Sequence, residues 1–221
     1  MKIIVFSFFC FLAFVSNSFA QNQVDYVEQR LSVNRDQARL ITVRLLIVAD
    51  SCAKIIEAIA SSNTTNIVKD SLEKVFYNKY GSWQTIIYRQ NKLDTRKLTS
   101  STAKEYFAHL RTVGKKNDLL ITFSEMEYGE VGFIKEENGI VQAEATMFFM
   151  QTYVRTTKTV SLETEKQELY KDRTGKMFHY VIVYDSNTNS VDIRLKEITV
   201  EEWAVPMYKP KKSVPKPQNK Q

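Results

Sequence analysis

The sequence predicts an α+β protein: a long N-terminal helix packed on an antiparallel sheet. The main observation is a change of period. Apolar residues recur at three-to-four spacing through the first half of the chain, and from Leu119 onward they alternate at two. The second is the segregation itself, helices first and then a run of strands, which is the α+β arrangement. The third is the absence of proline between Gln21 and Val205, so no element in that stretch is interrupted by one.

The elements follow in chain order. Residues 1–20, MKIIVFSFFCFLAFVSNSFA, carry one lysine, an apolar run from Ile3 to Val15, and a small-residue ending at Ser18-Phe19-Ala20. That is a secretory signal pattern, because a bilayer span needs roughly 20 apolar residues. Cleavage is expected near Ala20, with export to the periplasm or the extracellular space. Val24–Leu31 reads as a short helix or an arm. Asn34 or Asp36 then caps a long helix, with Ala38, Ile41, Leu45, Val48, Cys52, Ile55, Ile56 and Ile59 on its apolar face. Residues 61–65 (SSNTT) break it and cap a second helix, with Ile67, Val68, Leu72, Val75 and Phe76 on one side. Trp83–Arg89 is a strand. Ser100 or Ser101 caps a further helix, supported by Glu105, whose apolar face is Ala103, Tyr106, Phe107 and Leu110.

About five strands come next. Leu119–Ser124 and Val131–Lys135 precede a turn at Asn138-Gly139, and Asn-Gly between apolar alternations is the strongest short hairpin signal. Ile140–Arg155 follows, then Val160–Tyr170, a type I turn at Asp172-Arg173-Thr174-Gly175, and Met177–Tyr184. After a loop at Asp185–Asn189, Val191, Ile193 and Leu195 face inward while Asp192, Arg194 and Lys196 face out.

The order, and in particular the helix STAKEYFAHLRTV running into LLITFSEMEY, the strand VQAEATMFFMQTYV and the pair YKDRTGKMFHYVIVY / SVDIRLKEIT, resembles the nuclear-transport-factor-2-like group of cystatin-like folds over roughly Asp36–Trp203. The resemblance implies a strongly curved sheet closed into a cone by the helices. It also implies an exported bacterial domain. The expected organisation is a signal peptide at 1–20, one domain at 21–205 and a Pro/Lys-rich, extended, disordered tail at 206–221.

Charge is divided unevenly. The chain is +6, yet the body from Gln21 to Tyr208 is neutral. The excess lies in Lys209, Lys211, Lys212, Lys216 and Lys220, interleaved with prolines. Such a tail attracts an anionic envelope surface and confers no specific nucleic-acid recognition, which needs a basic stripe on the folded body. Cys10 belongs to the apolar run of the signal, so Cys52 is left alone, and on a helix face it reads as a small buried hydrophobe.

Catalytic motifs are missing. No serine has a Gly-x-Ser-x-Gly setting, the glycines are scattered, and no calcium loop or His-x-His is present, so no cofactor or metal is expected. His109 reads as surface. His179 is the one candidate acid or base, if its strand face lines the cone, with Tyr153 and Tyr184 as pocket residues. Glu125, Glu127, Glu130, Glu136 and Glu137 read as a solvated face, with Lys135 or Arg155 placed to neutralise Glu125 and Glu127 across the sheet. Phe148-Phe149 within Met147–Met150 form an adaptable apolar block, suited to a cavity or a dimer face. These features favour a non-enzymatic binding domain whose partner is a protein or a small apolar ligand. The alternatives are a small-molecule isomerase or hydrolase-like enzyme around His179, and an envelope assembly component acting as a homodimer.

Overall fold

A computed structural model describes residues 21–90, 98–116, 118–160 and 165–200. Residues 1–20, read above as a signal, and 206–221, read as a tail with Lys209, Lys211, Lys212, Lys216 and Lys220, lie outside the described residues. No helix among the described residues is long and apolar enough to cross a membrane.

The first described helix, α1, covers 21–31 and buries Val27 and Leu31. A turn with Ser32 at φ 52° leads into α2, Arg35–Ala60, and Arg35 pairs back to Asp25 at 3.0 Å. Asn34 caps α2 through a reciprocal box: its side chain accepts from the Gln37 amide, and its own amide donates to the Gln37 side chain. Every apolar position read from the period is buried there.

Thr65 caps α3, Asn66–Val75, which passes into a π-helical turn, Phe76–Tyr80. Here the sequence reading is corrected. Ile67 is 79% exposed, and Val68 and Val75 are exposed too. The helix docks instead through Phe76, whose ring meets Phe107 edge-on at 5.1 Å. Of the predicted face, Phe76 is buried and Leu72 packs half-buried on the core, while Ile67, Val68 and Val75 stay outside.

The strands are β1 (Ile86–Gln90), β2 (Leu98–Thr102), β3 (Asp118–Glu137), β4 (Ile140–Val160), β5 (Glu165–Asp185) and β6 (Ser190–Val200), with α4 (Ala103–Lys116) between β2 and β3. They form one open sheet in the order β2-β1-β6-β5-β4-β3. The α+β class holds, but the sheet is mixed, not antiparallel throughout. β1 runs parallel to β6, where the Thr85 hydroxyl donates to the Leu195 carbonyl and fixes the start of β1 against its neighbour.

Two further corrections concern length and capping. The pieces read as separate strands join into 20- and 21-residue strands. Asp172–Gly175 is no turn: it pairs with Tyr153–Met150 inside the β4–β5 ladder, and a cooperative ladder outweighs a local turn preference. The cap of α4 is Thr102, the last residue of β2, which exchanges bonds with Glu105 three residues on at 2.9 and 3.3 Å; Ser100 and Ser101 lie farther back in the strand. The Asn138-Gly139 hairpin is as expected, with both residues at positive φ.

Helices α2 and α4 cover one face of the sheet. That face carries Met147, Phe149, Phe178, Tyr180, Ile182 and Tyr184, all buried, against Ile41, Leu45, Ile56 and Phe107 from the helices. β3 is irregular, with register shifts between Ser124/Glu127, Tyr128/Val131 and Phe133/Lys135. Helix side chains satisfy backbone groups near these breaks. Glu57 accepts from the Phe123 amide and the Tyr26 hydroxyl accepts from the Val131 amide, while the Tyr128 hydroxyl donates to the Thr42 carbonyl. The bulged strand is thereby tied to α1 and α2.

Candidate functional site

Strand alternation decides what each candidate residue faces. On β5, Phe178, Tyr180, Ile182 and Tyr184 are buried under the helices, while Met177, His179, Val181 and Val183 are only partly buried on the opposite face. His179 therefore points away from the helices. Its Nε2 lies 2.9 Å from the Thr199 hydroxyl, and cross-strand it stands between Thr146 and Glu197. His109 is exposed on α4.

Tyr184 is on the covered face, fully buried, and donates to the Asn189 side chain at 3.2 Å. Tyr153 is on the same face, four residues along β4 from Phe149 toward the far end, and contacts the Tyr170 ring at 6.0 Å. The two tyrosines are thus not brought together. The Met147–Met150 block also splits: Met147 and Phe149 are core, and Phe148 and Met150 lie on the outer face. Cys52 is buried against the Tyr180 hydroxyl, and burial pushes its thiol up. Glu125 is neutralised by Arg173 rather than by Lys135 or Arg155; Lys135 pairs with Glu137, and Arg155 lies on the helix-facing side.

A different group of residues gathers at the far end of the covered face. There the apolar core gives way to Arg89 on β1, Ser101 on β2, Tyr106 on α4, Gln151, Tyr153 and Arg155 on β4, and Tyr170, Asp172 and Lys176 on β5. The ladder sets their order. Phe149 opposes Lys176, Gln151 opposes Thr174, Tyr153 opposes Asp172, and Arg155 opposes Tyr170, so each row lies about 7 Å beyond the last. Exposure rises along the same direction, from Lys176 at 7% through Gln151 to half-buried Tyr153, Arg155 and Tyr170.

Lys176 is the unusual member. Its ammonium donates to the Tyr88 carbonyl at 3.2 Å, just past the two residues at which β1 pairs with β6. Burial, reinforced by the Arg89 charge and opposed by Asp172, pushes its pKa down to about 8. Arg89 lies over the Tyr106 ring at 5.8 Å, and Tyr106 in turn bonds Gln151. Arg155 lies over the Tyr170 ring at 5.8 Å. Neither guanidinium meets a carboxylate among the described residues. Arg89 Nε, Arg155 Nε and Ser101 Oγ are buried without a hydrogen-bond partner. Asp172, the one acid of the group, already accepts from the Tyr170 hydroxyl and the Arg173 amide.

The group therefore holds three cations, one committed carboxylate and three unsatisfied polar atoms. Unmet buried donors cost about 1–3 kcal/mol each, so an arrangement of this kind is complementary to a bound acceptor. A guanidinium placed over an aromatic ring keeps N–H groups in the fork that suits a carboxylate or a phosphate. Among the described residues no cluster of three or more histidines, cysteines and carboxylates could hold a metal.

Sequence reading missed Arg89, Lys176 and Ser101. One signal was available: Lys176 lies in phase with Phe178, Tyr180, Ile182 and Tyr184, on the alternation that marks the buried face. Comparison with protein-family models, with curated proteins and with solved structures finds no match to this chain.

Proposed function

We propose that the chain is an exported, non-enzymatic binding domain of the bacterial cell envelope, related in architecture to the cystatin-like cones, and that it takes up a small organic anion. The anion enters at the polar end of the helix-facing side, where Arg89 and Lys176 receive its charged group and Tyr106 and Tyr153 flank it. The observation that carries the reading is the pair of guanidinium groups lying over aromatic rings, at Arg89 and Arg155, that meet no carboxylate among the described residues while Lys176 is buried beside one of them. The lysine tail is the tether to an anionic surface.

The test is calorimetric titration of the mature chain with phosphate, oxalate, citrate and benzoate at low salt. At least one should bind saturably, and Arg89→Gln should weaken it about tenfold, the loss expected for one charge-assisted contact of roughly 1.5 kcal/mol. Anions that shift melting equally in the native chain and in Arg89→Gln, with no saturable heat, would remove the reading.

A second reading has its own support. Among the described residues no helix lies over the outer face of the sheet, which presents Leu120 and Leu169 exposed, with Phe148, Met150 and Met177 half-buried. That favours the homodimeric assembly component, and light scattering that finds a monomer at tens of micromolar would exclude it. The enzyme reading around His179 draws no support from the outward position of that side chain.

A further inference from the structure

The anion reading leaves one group over. A lysine at the inner end of an anion site is a costly choice if charge alone is wanted, because the ammonium has lost most of its water and stands next to another cation. An arginine would keep its charge there. A lysine in the same place becomes an amine. With a pKa of about 8, about a quarter of Lys176 is neutral at pH 7.5, against about a thousandth of an ordinary lysine. Desolvation beside a second cation is the environment that turns a lysine into a nucleophile toward carbonyl carbon.

The neighbours supply the rest of what such a reaction needs. Arg89 carries an unsatisfied buried Nε, and Ser101 an unsatisfied buried hydroxyl, as receptors for a carboxylate. Asp172, two ladder rows farther along the same face, is the acid whose charge opposes that of Arg89 at Lys176. The Tyr88 carbonyl holds Nζ in place without neutralising it. Among the described residues, the charged groups acting on Lys176 are Arg89 from β1 and, at longer range, Asp172 from its own strand, with the Tyr106 phenol reached through Arg89 and Gln151.

We infer that Lys176 is a carbonyl-reactive amine which condenses reversibly with a small oxo acid, the carboxylate of that acid being held by Arg89. This rests on the anion-binding reading and adds a covalent step to it. The Nζ lone pair attacks the carbonyl carbon, the C–O π pair moves to oxygen, and one N–H proton of the adduct passes to that oxygen through water to give the neutral carbinolamine. The hydroxyl takes a proton from solvent and leaves as water while the nitrogen lone pair closes the C=N bond, and the remaining N–H proton returns to solvent. Amine and ketone or aldehyde become imine and water, with no change of oxidation state.

The experiment is reductive trapping. The mature chain is incubated with glyoxylate or pyruvate and cyanoborohydride, then digested and mapped by mass spectrometry. The expected result is one dominant adduct on the peptide carrying Lys176, formed at least tenfold faster than on any other lysine. Oxalate should suppress it, Arg89→Gln should slow it several-fold, and it should be absent in Lys176→Arg. Modification spread evenly over surface lysines, or unchanged by Lys176→Arg, overturns the inference. If oxalate binds saturably by calorimetry while Lys176 is not trapped, the covalent step fails and the anion site stands. If oxalate neither binds nor competes, both fail.

Discussion

Replacing Lys176 with methionine should make the protein more stable, not less. In the folded chain the ammonium is buried and its pKa falls from 10.5 to about 8. At about 1.4 kcal/mol per pH unit, that gap corresponds to roughly 3 kcal/mol of cost for holding the charge at neutral pH. Methionine keeps most of the apolar volume and loses the bond to the Tyr88 carbonyl, worth about 1 kcal/mol. The net expectation is a gain of about 2 kcal/mol, or roughly 4–8 °C in melting temperature for a domain of this size. The sign of the pH dependence is also set. Between pH 8 and 10.5 the unfolded chain holds a proton that the folded chain has released, so the native protein gains stability as pH rises. The advantage of Lys176→Met should thus be complete at pH 7 and shrink across that window. Paired thermal melts of the two proteins, followed by circular dichroism from pH 7 to 10, read both quantities. A variant that melts lower than the native chain by a pH-independent amount would refute the reasoning, because the hydrogen bond would then outweigh the burial of charge.

Three other expectations concern the frame of the site. Gly139→Ala places a Cβ at φ +78° and within 2.8 Å of the Asn187 and Ser186 side chains, so urea unfolding should show a loss of about 1–2 kcal/mol; an unchanged midpoint would contradict the turn geometry. Phe178→Ala removes a ring packed against Phe123, Phe149 and Tyr180 and should cost about 3–5 kcal/mol in the same assay, well above the cost at exposed Phe133. Cys52, buried against Tyr180, should resist iodoacetamide in the native chain and react within minutes in denaturant; equal rates would show that α2 opens freely.

What the sequence made legible was mostly what repeats. The 3.6-residue period of α2 is sustained over seven turns, and its buried set could be named residue by residue because each apolar position reinforces the next. Asn138-Gly139 was legible because few other dipeptides take positive φ twice. The errors have a common cause in non-local pairing. Asp172–Gly175 looks like a turn in isolation and is held extended by Tyr153–Met150 across the ladder, some twenty residues away in the chain. α3 looks amphipathic by itself, yet what it buries is chosen by a π turn that no local pattern announces. The polar end of the covered face was hidden for the same reason: Arg89, Ser101 and Lys176 come from three separated segments, and only strand order β2-β1-β6-β5 puts them side by side. His179 was the natural suspect because histidine is rare, and rarity carries no information about which face a strand residue takes.

The irregular β3 strand has a consequence for how this protein behaves at high concentration. It is an edge of the sheet, twenty residues long, with Leu120, Met126, Phe133 and Ile134 exposed along it. A regular edge of that length and composition would template a neighbouring chain and grow into fibrils. The three register shifts leave the stretch Asp118–Ser124 as the longest unbroken run, and beyond it Glu125, at φ 54°, turns the backbone out of line. The amides of Phe123 and Val131 are already held by Glu57 and Tyr26. The bonds that lash β3 to the helices are therefore also what keep a second molecule from adding to it, and loosening them would lower solubility before it unfolded the domain.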